Sequence, residues 1–214
     1  MEPGKIYHLY THANGSENFF RTEENYRYFL QRYQHFIPLV ADTLAYCLMP
    51  NHFHFLVRIK TEAELISVFK NKLSLYLTGL ESEKKQDLSG IDSETKNQLS
   101  TLVILQFSHL FNAYTKAFNK VYKRRGSLFT RSFRRKEITS DSYLTTVIHY
   151  IHKNAVHHGF SKDFTDWPWS SYHELANDTS TWLDREFVIN WFGGVEKFRD
   201  FNQQPIAVKT ELED

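Results

Sequence analysis

Along this chain, polar and apolar positions alternate in some stretches and recur every three to four residues in others, and the two periods divide it into strands and helices. Residues 5–13 read as a first strand, rich in Tyr, His and Ile and closed by Asn14-Gly15. Residues 23–36 have helical spacing, with Tyr26, Phe29, Leu30 and Tyr33 on one face and Thr22 as the cap. Residues 39–48 and 52–59 form two strands joined at Met49-Pro50-Asn51, and Thr61 with Glu64 opens a helix that runs to 77. After a polar stretch at 81–97, helical spacing returns over 99–122 until Arg125-Gly126 breaks it. Residues 128–138 form a strand or extended ribbon that carries arginines. Ser140-Asp141 then caps a helix over 142–156, with Gly159 as its terminator. The order β-α-β-β-α followed by helix, strand and helix predicts an α+β fold, helices packed on an antiparallel sheet of ferredoxin-like type. The pattern sets the class and leaves the strand order open.

With 214 residues the chain fits one main domain over 1–175, interrupted by the polar insertion near 81–97 and followed by a helical extension and polar tail over 176–214. A single cysteine, Cys47, excludes an internal disulfide and a cysteine-based zinc site, and its apolar surroundings mark it as a buried, inert thiol. The first residues lack the basic flank and apolar stretch of a signal peptide, and no apolar run approaches a membrane span, so the chain reads as cytoplasmic with no membrane partner. Aromatic residues reach 16%, which suits core packing and base stacking equally and so selects neither.

The net charge of +1 argues against a general nucleic-acid binder, but the distribution of charge argues the other way. Lys116, Lys120, Lys123, Arg124, Arg125, Arg131, Arg134, Arg135 and Lys136 fall in 21 consecutive residues without one acidic side chain. So one-sided a block is the footprint expected for phosphate contact, against the alternative of a solvated basic helix and hairpin. Arg131, Arg134 and Arg135 combine clustering with the bidentate geometry that suits phosphate.

The candidate chemistry starts at Met49-Pro50-Asn51-His52-Phe53-His54-Phe55-Leu56-Val57. Side chains of a strand alternate, so His52 and His54 share a face, about 7 Å apart along the strand, while Phe53 enters a core. Two imidazoles so placed can share a metal ion. In the helix over 142–156, Tyr150 and Asn154 are four apart and occupy one face, with about 5–6 Å between Cβ atoms. Laid against the histidine strand, that helix would bring a phenol and an amide oxygen to the same point. Two neutral imidazoles and an amide oxygen leave positions open for substrate, a donor set that suits Mg²⁺ or Mn²⁺ as well as tighter-binding transition metals. A phenolate beside such an ion can attack a phosphodiester and form a phosphotyrosine. Tyr143, seven residues earlier on roughly the same face, is a second candidate nucleophile without a polar partner at i+4. His149, His152, His157 and His158 read as surface or packing histidines, and Trp167 and Trp169 as anchors of the following segment.

Residues 50–57 resemble the His-hydrophobic-His motif of HUH single-strand nucleases, in the form found among REP-associated tyrosine transposases and their insertion-sequence relatives. Tyr150-Ile151-His152-Lys153-Asn154-Ala155-Val156 resembles the Tyr-x-x-x-Asn-Pro-Val segment of that family. Gly126-Ser127-Leu128-Phe129 with Arg131 and Phe133, and Trp167-Pro168-Trp169-Ser170-Ser171-Tyr172, resemble its other signatures in the same order. The likeness spans about residues 5–175. It implies a ferredoxin-like HUH fold, His52, His54 and Asn154 as ligands of Mg²⁺ or Mn²⁺, and Tyr150 as nucleophile. The implied reaction cuts single-stranded or hairpin DNA to a 5′-phosphotyrosine and a free 3′-OH. The charge distribution, in turn, offers Lys123, Arg124, Arg125, Arg131, Arg134, Arg135 and Lys136 as the residues on the DNA. Ala155 departs from the usual proline and allows the helix to continue. Rival readings are a domesticated DNA-binding protein without cleavage and a metal-dependent phosphoesterase in which Tyr150 is incidental. Homodimerisation is left open by the sequence.

Overall fold

A computed structural model of the chain describes residues 1–15, 17–77, 93–130 and 133–205, the side chains of 70–77 and 93–96 excepted. The elements run β1 (Ile6–His12), α1 (Glu23–Phe36), β2 (Ala41–Met49), β3 (His52–Ile59), α2 (Glu62–Leu77), α3 (Ser93–Val121), β4 (Arg134–Glu137), α4 (Asp141–His157), α5 (Tyr172–Ala176), α6 (Arg185–Phe192) and α7 (Val195–Gln203). The four strands form one antiparallel sheet in the order β2-β3-β1-β4. Split βαβ units with that order are the ferredoxin-like α+β arrangement expected from the element sequence.

Alternation assigns the two faces of the sheet. From β1 and β3, Leu9, Phe53 and Phe55 point to the side of α1 and α3, where Phe29, Tyr33 and Phe111 close over them. Phe19, Phe20 and Tyr114 extend this aromatic layer, and the Tyr114 hydroxyl donates to the Phe19 carbonyl. Much of the chain's aromatic excess therefore packs the core. The opposite face carries His8, Tyr10 and His12 from β1 with His52 and His54 from β3, and α4 lies across it.

Local chemistry explains the boundaries. Thr61 and Glu64 form the expected capping pair, with Glu64 Oε2 accepting from the Thr61 N–H at 2.8 Å. Ser140 caps α4 by accepting from the Tyr143 N–H at 3.3 Å. At its other end, Gly159 adopts φ +73°, and the N–H groups of Gly159 and Phe160 return to the carbonyls of Val156 and Ala155 at 3.0 and 2.8 Å. That is a Schellman closure, in which the left-handed residue costs least as glycine. Ala155, fully buried, keeps α4 helical to His157. Two expectations need correction: α3 begins at Ser93, inside the stretch read as a polar insertion, and β4 covers only Arg134–Glu137 of the ribbon expected over 128–138. The rest of the insertion lies outside the described residues.

The chain beyond α4 packs back on the sheet and helix. Residues 167–171 run along the outer edge of β2: the Leu48 N–H donates to the Trp169 carbonyl at 2.8 Å, and the Ser171 N–H to the Tyr46 carbonyl at 2.9 Å. Trp167 donates to the Leu48 carbonyl at 2.9 Å, and Trp169 stacks on Tyr26 at 4.5 Å, the anchoring role expected for both. His152 is the central tie. It is fully buried and joins Asn202 Oδ1 at 2.8 Å through Nδ1 and Ser171 Oγ at 3.0 Å through Nε2. His152→Ala takes the ring from Asn202 Oδ1, leaves Ser171 Oγ with only its Tyr46 backbone bonds and opens a cavity, so thermal denaturation is expected to show a loss of about 2–5 kcal/mol. A change below about 0.5 kcal/mol would show that the tie is idle.

Candidate active site

β3 supplies His52 and His54 because its period of two sends both to the α4 side, beneath the Tyr150 and Asn154 face of that helix. His52 Nε2 lies 3.1 Å from Asn154 Oδ1. The His54 ring meets the Tyr150 ring edge-on, with centroids 5.4 Å apart. The four residues singled out in the sequence thus converge on one patch, two pairs side by side. His52, His54, Tyr150 and Asn154 are 2%, 3%, 5% and 0% exposed, so the patch is closed over.

Three histidines outside the sequence motif surround the pair. His8 Nε2 is 2.9 Å from His54 Nδ1. His12 stacks on His52 with ring centroids 5.0 Å apart, and His158 meets His52 edge-on at 4.4 Å. Phe160, 38% exposed, stands beside His52 at 6.3 Å. His12, His158 and Phe160 are exposed and form the rim through which solvent approaches His52. Nothing in the sequence sets His158 apart from an ordinary surface or packing histidine. For His8 and His12 a signal was available: His8-Leu9-Tyr10-Thr11-His12 alternates as a strand, although nothing local says that this strand lies beside β3.

Burial, above all, drives the site histidines toward their neutral forms. His52 is lowered to about 3, with His158 adding to the effect, and His54 falls well below the ordinary value with His8 as the nearest positive-charge competitor. His8 drops to about 3 through burial and then Lys136. Neutral imidazoles are the form that ligates metals.

The donor chemistry is compatible with a divalent ion. A neutral His52 carries one ring hydrogen, on Nδ1, 2.8 Å from Asn51 Oδ1, or on Nε2, 3.1 Å from Asn154 Oδ1. With the hydrogen on Nδ1, the Nε2 lone pair and the Asn154 oxygen can share an ion, since ligands about 2.1 Å from an octahedral ion stand about 3.0 Å apart along an edge. The buried Nδ2 of Asn154 has no hydrogen-bond partner among the described residues, and with no ion bound a turned amide would donate from it to His52 Nε2. Among the described residues no group of three or more His, Cys, Asp or Glu is arranged to hold a metal ion, which makes the candidate set depend on the amide of Asn154.

The basic block divides by strand alternation. Arg134 and Lys136 pair with Tyr10 and His8 and share the α4 face with the histidines, whereas Arg135 pairs with Leu9 and faces the other way. There Arg135 lines a cavity of about 430 Å³ with Asn112, Phe129 and Phe133. Lys123, Arg125, Arg134, Arg135 and Lys136 are exposed. Arg124 is already engaged: it donates to Glu17 Oε1 at 2.9 Å, Asn119 Oδ1 at 3.0 Å and the Ser127 carbonyl at 3.0 Å. Its fork braces the loop before β4. Arg131 lies outside the described residues. Tyr143 sits at the start of α4 against Lys136, whose Nζ is 5.3 Å from its ring. Cys47 is fully buried, and burial pushes its thiol up, as expected for an inert side chain.

The fold is thus an α+β, ferredoxin-like sheet that sets a histidine pair under a helical tyrosine and asparagine, with a cationic edge strand alongside. No family model matches the chain, and no curated protein matches it. Among solved structures, a REP-associated tyrosine transposase bound to a REP hairpin is similar over 85% of each chain, at 16% identity and a TM-score of 0.48. No helix among the described residues is long and apolar enough to cross a membrane.

Proposed function

We propose that this protein is a metal-dependent single-strand DNA endonuclease and strand transferase of the HUH type, acting at hairpin or repeat DNA. The observation that carries this reading is the meeting of Tyr150 and Asn154, four apart on α4, with His54 and His52, two apart on β3. His52, His54 and Asn154 are the residues to hold Mg²⁺ or Mn²⁺. Such an ion, when bound, polarises the scissile phosphate and offsets the charge that develops on its oxygens. Tyr150 gives its phenolic proton to solvent water that enters with the substrate and attacks phosphorus; the new oxygen–phosphorus bond forms as the bond to the 3′ oxygen breaks. That oxygen takes up a proton and leaves as a free 3′-OH. The phosphotyrosine retains the phosphodiester's bond energy, so a strand can be rejoined without ATP.

The test uses hairpin oligonucleotides labelled at either end, incubated with Mn²⁺ and resolved on a denaturing gel. The expected product is a slow protein–DNA band carrying the label from the 3′ side of the cut, absent with EDTA and absent in His52→Ala. A band carrying the other label, or cleavage indifferent to EDTA, would sink the mechanism. One observation favours a second reading, a hairpin-binding protein without cleavage: the constellation is closed, and a phosphodiester reaches Tyr150 only after the rim of His12, His158 and Phe160 parts. Binding to a broad panel of hairpins with no adduct would be its signature.

The facing of β4 makes a separate prediction. Arg134→Ala and Lys136→Ala are each expected to weaken hairpin binding and to reduce the salt dependence of log K by about 1. Arg124→Ala should instead lower the melting temperature with little change in that slope. Fluorescence anisotropy across a salt series and thermal melts read both; equal slopes for the three variants would contradict the assignment.

A further inference from the structure

We infer that His8 is a positioning residue: by accepting the Nδ1 hydrogen of His54, it fixes the one tautomer in which His54 can ligate a metal. The inference rests on the reading of His52, His54 and Asn154 as a metal site. The His8 and His54 rings are nearly coplanar, 23° apart with centroids at 5.1 Å, and His8 Nε2 lies 2.9 Å from His54 Nδ1. Both side chains are buried, 0% and 3% exposed. His8 therefore occupies Nδ1 of His54 and leaves only its Nε2 for an ion.

A neutral imidazole carries one N–H, so two arrangements are available to the pair. In the first, His54 donates from Nδ1 to His8 Nε2, and the Nε2 lone pair of His54 is free to ligate. The hydrogen of His8 then sits on its own Nδ1. In the second, His8 donates from Nε2, and His54 bears its hydrogen on Nε2, where it blocks coordination. His8 Nδ1 is buried and has no hydrogen-bond partner among the described residues, so no protein group on the far side of that ring opposes either arrangement. An ion at His54 Nε2 selects the first, and His8 then holds the Nδ1 hydrogen of the ligating ring. The second histidine of the motif is a ligand on condition that its neighbour accepts, much as outer-sphere carboxylates and carbonyls serve ligating histidines elsewhere.

The experiment compares wild type with His8→Gln and His8→Phe. A glutamine carbonyl takes the place of His8 Nε2 as an acceptor, whereas phenylalanine fills the space without one. Mn²⁺ affinity is read from the free-ion electron paramagnetic resonance signal, with melts in EDTA to check folding. The expected result is a loss of about 10–100-fold in affinity for His8→Phe and a value within about threefold of wild type for His8→Gln. Equal affinity in all three proteins, or equal loss in both variants, overturns the inference, since packing alone would then account for His8. If neither variant folds, ¹⁵N spectra of the wild-type histidines decide the matter. The inference requires a hydrogen on Nδ1 of His54, coupled to His8, with Zn²⁺ bound; a hydrogen on Nε2 of His54 in that state overturns it. A wild type with no Mn²⁺ site, or with a site untouched by His52→Ala, defeats the underlying metal reading instead, and the inference falls with it.

Discussion

Replacing Tyr150 with phenylalanine is expected to remove the covalent protein–DNA adduct, by at least ~10³-fold, while hairpin binding and folding stay close to wild type. The change deletes one oxygen and keeps the ring, with its edge-on contacts to His54 at 5.4 Å and His8 at 6.1 Å, while the buried Val147, Ile148 and Ile151 continue to seat α4. Packing survives and the nucleophile does not. Tyr143→Phe is the internal control. Tyr143 stands two turns away against Lys136, so its loss should leave the adduct intact. Labelled hairpins with Mn²⁺ on a denaturing gel report both variants. Undiminished adduct in Tyr150→Phe, or its disappearance only in Tyr143→Phe, would reassign the chemistry.

The second large effect is acid lability. In EDTA, stability should fall steeply between pH 7 and pH 5. Burial lowers His52 to about 3 and His152 to about 4, and it depresses the hydrogen-bonded pair His8 and His54 as well. The unfolded chain takes up a proton at each near pH 6.5, while the folded chain does not, so acidification favours unfolding. The contribution is complete above pH 6.5 and is lost as pH falls toward the folded values. Each such group withdraws about 2 kcal/mol between pH 7 and pH 5. His52, His152 and one proton for the pair together withdraw roughly 6 kcal/mol, comparable to the whole stability of many domains. Melting temperatures across that range measure it; a flat profile would mean that these histidines titrate normally in the fold.

Strongly periodic segments were legible before any coordinates. The bounds of α1 and β3 match those expected, because Tyr26, Phe29 and Tyr33 repeat at helical spacing and His52, His54 and Leu56 alternate with Phe53, Phe55 and Val57. The pairing of the histidine strand with the Tyr150 helix was legible as a geometric condition. What was not legible depended on which elements become neighbours. His8 and His12 gain meaning only once β1 lies between β3 and β4, and strand order is a long-range outcome. The basic run looked uniform because charge is visible in sequence and facing is not. Placed on β4 it divides, with Arg134 and Lys136 toward the histidines and Arg135 toward the opposite cavity, while Arg124 braces a loop. The start of α3 at Ser93 was missed because the polar residues there carry no apolar stripe.

The two margins of the sheet have a further consequence. Along β2, residues 167–171 already occupy the outward backbone groups of Tyr46 and Leu48, so an incoming chain finds no donors or acceptors there. At the other margin β4 is four residues long and presents Arg134, Arg135 and Lys136, a cationic strip on which a second copy would meet its own charge. Sheet-to-sheet polymerisation, the ordinary hazard of an open antiparallel sheet, is thereby closed off on one side by the chain itself and on the other by repulsion. Neutralising that cationic margin by mutation would expose the molecule to aggregation as well as weaken its hold on a polyanion.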